Sequence, residues 1–281
     1  MKINLFIEAV LIFFLLNLVA CGDSDSIADS KKDNEASREK VIWKYLNPEI
    51  IYDEITDNRD GQVYKTVTIG NQTWMAENLN YAYTGVKYLS GEFAIHSSDS
   101  TSWCYDDNPK NCDRYGRLYT WSAAIDSVAL AKDTTNPQIC GYGKVCSLPS
   151  PFRGICPESW HLPTKAEWEA LINSVGGFDL AVSALLSTSS WCGGVNGSNT
   201  YGFSVLPSGH YLGNSYGLFE LSCYFAEFWT TDEYDGECCN DGFYSYFLRF
   251  YPYLNITSLG AGNKDYGYSI RCVKDDGRAT D

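Results

Sequence analysis

Trp160-His161-Leu162-Pro163-Thr164-Lys165-Ala166-Glu167-Trp168 is the stretch that decides the fold. Thr164 stands three residues before Glu167, the spacing at which hydroxyl and carboxylate each accept a backbone N–H from the other's position and start a helix. Trp168, Leu171, Ile172 and Val175 then fall at i, i+3, i+4 and i+7, and Gly176-Gly177 stops the run. A helix over 164–175 with one buried stripe is predicted. Upstream, Asp60-Gly61 separates 50–57 from the alternating Val63-Tyr64-Lys65-Thr66-Val67-Thr68-Ile69, which reads as a β-hairpin. Asp57, Asp60 and Gly61 tempt a calcium reading, but Arg59 stands where a ligand is needed, so the segment is a turn. A second helix is predicted from Trp121, carrying Ala123, Ala124, Val128 and Leu130. Short strands are predicted at 202–207, 225–231, 243–251 and 268–274; the third is apolar on both faces and so central. The pattern is α+β with much irregular backbone.

Composition limits what such a domain can do. Lys and Arg number 21 against 35 Asp and Glu, a formal net charge of −14. A nucleic-acid partner needs a cationic footprint that this chain lacks. No metal or cofactor is expected. The three His are not spaced as ligands to cysteine, and there is no Cys-x-x-Cys, His-Glu-x-x-His or phosphate-binding Gly-x-x-x-x-Gly-Lys motif.

The first 20 residues read as a signal peptide, with an apolar stretch over 5–20 that is short for a membrane span. It ends Leu18-Val19-Ala20-Cys21-Gly22, which resembles a bacterial lipobox and makes Cys21 the acylated first residue of a lipoprotein. The expected partner is thus a membrane, reached through lipid chains including palmitate-length ones, and the expected location is the cell envelope, at the outer membrane. Residues 21–40 are polar and read as a disordered tether; 41–275 form one domain and 276–281 a tail.

With Cys21 set aside, ten of the 11 cysteines remain, an even number suited to an oxidising compartment. Cys104 and Cys112 flank a turn-rich loop, as do Cys140 and Cys146, and both pairs are predicted as local disulfides. Cys192, Cys223, Cys238 and Cys239 allow three pairings. Adjacent Cys238 and Cys239 bridge each other poorly, so each is expected to take one of the other two.

Asp60-Gly61-Gln62-Val63-Tyr64-Lys65-Thr66-Val67-Thr68-Ile69-Gly70, Gln72-Thr73-Trp74-Met75-Ala76-Glu77-Asn78-Leu79-Asn80-Tyr81, Tyr115-Gly116-Arg117-Leu118-Tyr119-Thr120-Trp121-Ser122-Ala123-Ala124, Gly154-Ile155-Cys156-Pro157 and 160–168 follow one another in an order that resembles the Fibrobacter succinogenes major paralogous domain family. The likeness covers roughly residues 52–275. It implies a secreted or lipid-anchored protein and carries no biochemical activity with it. More distantly, Leu162-Pro163-Thr164-Lys165-Ala166-Glu167-Trp168 is similar to the helix start of formylglycine-generating-enzyme domains. That similarity implies a C-type-lectin-like fold with two main helices, small antiparallel sheets, long loops and disulfide staples. It also implies a helix-to-final-strand disulfide, Cys156 with Cys272.

Sugar binding needs flat rings beside amide and carboxylate side chains, because a pyranose face stacks on the ring while its hydroxyls take directional hydrogen bonds. Trp191, Asn196, Asn199 and Tyr201 offer that combination in one loop and Tyr211 in a second. The expected function is a non-catalytic module that binds a polysaccharide or a surface protein. The alternative is an enzyme of the formylglycine-generating kind using Cys192/Cys223 or Cys238/Cys239. His161, beside the helix start, is expected to be a hydrogen-bonded structural imidazole.

Overall fold

A computed structural model describes residues 40–83, 102–213, 217–236 and 241–276. The signal peptide, Cys21, the tether, and Cys238 and Cys239 lie outside the described residues.

The hairpin forms as β1 (Asp53–Thr56) against β2 (Val63–Ile69), with Thr56 opposite Val63. Its connection is closed by Asp57, whose backbone N–H donates to Gln62 O at 2.8 Å and whose carboxylate accepts from Arg59 N at 3.0 Å and Arg59 Nε at 2.9 Å. That guanidinium occupies the place of a cation, in keeping with the turn reading. β3 (Gln72–Met75) returns beside β2. Tyr64 and Thr66 are buried on one face of β2 and Val67 and Ile69 are buried too, because the sheet is covered on both sides.

β4 (Ser102–Trp103) pairs with β5 (Leu118–Tyr119), and between them α1 (Pro109–Tyr115) starts on Asn108, which caps Lys110 N. The predicted helix from Trp121 is two helices, α2 (Trp121–Ala124) and α3 (Ser127–Lys132). The chain breaks at Asp126, whose left-handed backbone (φ 50°) lets its side chain cap Ala129 N at 3.3 Å and start the second piece.

β6 (Trp160–His161) leads into α4 (Lys165–Ser174), which carries the predicted capping box: Glu167 N donates to Thr164 Oγ1 at 3.1 Å and Thr164 N to Glu167 Oε2 at 2.8 Å. Trp168 is fully buried and packs on Trp74 at 4.6 Å and on Phe228 at 5.4 Å between ring centroids. After Gly176 and Gly177, both at positive φ, the chain re-enters a helix, α5 (Phe178–Leu185). The second long helix therefore follows α4 directly rather than starting at Trp121.

β7 (His210–Tyr211) pairs with β8 (Phe219–Glu220). β9 (Ala226–Glu233), β10 (Tyr244–Tyr251) and β11 (Ile256–Asn263) form an antiparallel sheet in the order β11-β10-β9, so β10 is central. The β9–β10 register slips by two residues between Ser245 and Phe247, with the extra residues in β9, while β10 pairs with β11 without a break. β12 (Val273–Lys274) lies between β3 and β6 and completes a sheet ordered β1-β2-β3-β12-β6. The rest of the predicted strand at 268–274, and the one at 202–207, make only single bridges such as Leu186 to Val205.

Four disulfides join Cys104 to Cys112, Cys140 to Cys146, Cys156 to Cys272 and Cys192 to Cys223. The last corrects the expectation that Cys192 and Cys223 bond to Cys238 and Cys239: the chain folds back so that Cys192 N donates to Cys223 O at 2.9 Å. No helix among the described residues is long and apolar enough to cross a membrane.

Candidate functional site

Glu227 of β9 lies opposite Arg249 of β10, on the face of the sheet away from Leu248 and Phe250. Its carboxylate is fully buried. Oε1 accepts from Arg249 Nε at 2.7 Å and meets an Arg249 Nη at 2.5 Å, while Oε2 faces His210 Nδ1 at 2.6 Å. His210 Nε2 is buried with no hydrogen-bond partner among the described residues. The row is thus a carboxylate held from both sides, with a guanidinium on its outer flank.

The next row outward is aromatic. Phe225 stacks on Tyr251 at 4.2 Å and 15°, and Tyr251 on Tyr253 at 6.3 Å and 29°. The Arg249 guanidinium lies over Phe225 at 5.3 Å, which ties the ring stack to the charged row. Tyr253 is 62% exposed, Leu254 and Ile256 just after it are exposed, and so are Leu221 and Tyr224 in the segment before Phe225. Gly193, at φ 74°, lets the neighbouring loop pass beside the Tyr253 ring, where a Cβ would stand 3.4 Å from it. The Cys192–Cys223 disulfide fixes that loop to the segment that carries Phe225. Apolar surface of this kind left in water costs free energy that a partner recovers, so a contiguous exposed patch marks an interaction surface.

The residues expected to bind sugar sit elsewhere. Trp191 is a core residue, 6% exposed, with its indole N–H donating to Ser187 Oγ at 3.2 Å. Asn199 is fully buried; its carboxamide accepts from Ser204 N at 2.8 Å and donates to Ser204 Oγ at 2.7 Å, building the turn that precedes Phe203. Tyr201 is half-buried against the core, and Tyr211 is buried beneath Trp103 at 4.3 Å and beside Phe219 at 4.9 Å. Asn196 alone of the five is exposed. The five do not form one surface, because Trp191 and Asn199 are spent on packing and on a turn. Phe225, Tyr251 and Tyr253 were not singled out as binding residues, because they come together only when the segment before β9 folds against the end of β10.

His161 lies in a cleft of about 400 Å³ lined also by Asn71, Gln72, Ser150, Glu167 and Asp275. Its Nε2 is 2.7 Å from Glu167 Oε1 and its Nδ1 2.6 Å from Asp275 Oδ1. Burial pulls the imidazole down, but the Glu167 and Asp275 carboxylates together overcome it and hold His161 above its ordinary value. Burial pushes Glu167 up, and the His161 and Thr164 hydrogen bonds outweigh that and hold it below the ordinary carboxylate range. With both nitrogens engaged, the ring has none free to take a proton from a substrate, so His161 is a clasp between α4 and the end of β12.

One further pattern lies near His210. Gly213-Asn214-Ser215-Tyr216-Gly217, between β7 and β8, has the spacing of a nucleophile elbow. Residues 214–216 lie outside the described residues.

No curated protein and no solved structure matches the chain. The family described as the Fibrobacter succinogenes major domain matches residues 67–274, from the middle of β2 to the end of β12. That match spans more than half of the 281 residues and contains His161, Glu167 and the aromatic face, so the chain belongs to the Fibrobacter succinogenes major domain family.

Proposed function

We propose that this protein is a cell-envelope lipoprotein, acylated at Cys21 and held at the outer membrane, whose domain binds an extracellular glycan without catalysis. The observation that carries the reading is the ring stack Phe225–Tyr251–Tyr253 beside the Arg249 guanidinium, half-buried at its first two rings and exposed at Tyr253. It combines flat apolar faces with fixed polar donors, the pairing that pyranose recognition needs. The lipobox-like 18–22 and the polar stretch behind it support attachment of the domain to a membrane.

We also infer a C-type-lectin-like arrangement. Its support is that the chain's two ends meet in one sheet, β12 lying beside β3, that Cys156 joins Cys272 near the helix start and the last strand, and that long irregular loops connect the elements.

A glycan binding screen on the full chain, run beside Tyr253→Ala, tests the function. Glycan binding that Tyr253→Ala abolishes is expected. If the chain binds no glycan, the reading fails and capture of a surface protein becomes the question.

A further inference from the structure

The same site limits the charge its ligand can carry. A guanidinium has two hydrogen-bonding edges. In Arg249 the Nε edge is committed to Glu227, whose other oxygen is held by His210, so the carboxylate cannot rotate and the plane of the guanidinium is set. Nη1 makes no hydrogen bond among the described residues, and the side chain is 36% exposed. The outer edge therefore presents parallel N–H groups to solvent, directly beside the ring of Phe225 and, through it, Tyr251.

Glu227 and Arg249 cancel each other's charge. A uronate, sulfate or phosphate would meet a donor edge with no net positive charge behind it, on a chain whose formal net charge is −14. The hydroxyl oxygens of a neutral sugar incur no such repulsion, and two on adjacent carbons match the spacing of a fork of parallel N–H donors. Resting on the glycan-binding reading above, we infer that the ligand is a neutral polysaccharide, gripped through a pair of adjacent hydroxyls by the outer edge of Arg249 while a neighbouring sugar stacks on Tyr253.

The test is binding of the full chain to soluble neutral glucans and, in parallel, to polygalacturonate and alginate, at about 20 mM and about 500 mM NaCl, salt levels that span weak and strong screening. The neutral glucan is expected to bind, with an affinity that moves less than about twofold with salt, and the uronate polymers to bind at least about tenfold more weakly. Arg249→Gln is expected to weaken the neutral ligand about tenfold or more, as loss of charge-assisted hydrogen bonds implies. The wild-type selectivity needs no variant to fold and decides the matter alone. Preference for a uronate polymer that Tyr253→Ala abolishes would overturn the neutral-ligand inference and leave glycan binding standing; absence of binding to every glycan overturns both.

Discussion

The Nη2 of Arg271 lies 2.7 Å from Asn78 Oδ1, and its Nε 3.2 Å from the same atom, across 193 positions of sequence. The guanidinium is fully buried, and burial pushes its pKa down to about 9. Among the described residues no carboxylate bonds it. Its other contacts include the Phe203 carbonyl, to which Nη1 donates, and the rings of Phe203 at 4.3 Å and Phe228 at 5.5 Å. Asn78 in turn donates to Tyr115 O at 2.8 Å, so one carboxamide links the segment after β3, the end of α1 and the approach to β12.

Asn78→Leu strands that charge in an apolar interior and is expected to cost about 3 to 5 kcal/mol in urea denaturation. Adding Arg271→Met removes the stranded charge, so the double variant is expected to be more stable than the two single losses predict. Strict additivity would show that the pair is not coupled.

What could be read from sequence follows from how local each signal is. The capping box at Thr164 and Glu167 and the apolar stripe behind it are settled within a dozen residues, and the helix stands where the spacing puts it. β10 was legible as a central strand because both its faces are apolar. What Tyr251 packs against was not, since its ring partners Phe225 and Tyr253 come from the segment before β9 and the turn after β10 and meet it only in the folded chain. The burial of Arg271 was equally hidden, because its acceptor is supplied from 193 positions away. Trp191 sits among Gly, Asn and Ser residues typical of a surface loop, and only the packing of α5 and the core around it makes it interior.

The His161 clasp predicts a pH dependence of stability. Its imidazole is held above the ordinary 6.5, so the folded chain binds the proton more tightly than the unfolded one. The stabilisation is fully present below pH 6.5 and is lost as pH rises through the raised value. Glu167, held below its ordinary 4.5, contributes above pH 4.5 and loses its share as pH falls further. The melting-temperature gap between wild type and His161→Gln is therefore expected to be widest near pH 5 to 6 and to narrow by about pH 9. A gap that is constant or grows with pH would contradict the clasp.

The disulfides should not contribute equally. Cys104–Cys112 spans 8 positions and Cys156–Cys272 spans 116. On the loop-entropy account these correspond to about 2.5 and about 4.8 kcal/mol, so replacing both cysteines of the longer bridge by Ser is expected to cost roughly 2 kcal/mol more. Chemical denaturation of the two double variants measures the difference. Equal losses would mean that the unfolded chain is already constrained or that native contacts compensate.

Trp191 and Tyr253 separate packing from recognition. Trp191→Ala empties a site in the core and removes the donor to Ser187 Oγ, and is expected to cost about 3 to 5 kcal/mol. Tyr253, at 62% exposure, is expected to change stability by no more than about 0.5 kcal/mol when cut to Ala. Loss of binding in Trp191→Ala would then report unfolding, whereas loss in Tyr253→Ala at unchanged melting temperature reports a missing ring face. A Tyr253→Ala chain as destabilised as Trp191→Ala would instead make the aromatic stack a brace for the Gly193 loop, and the interaction surface would have to be sought elsewhere.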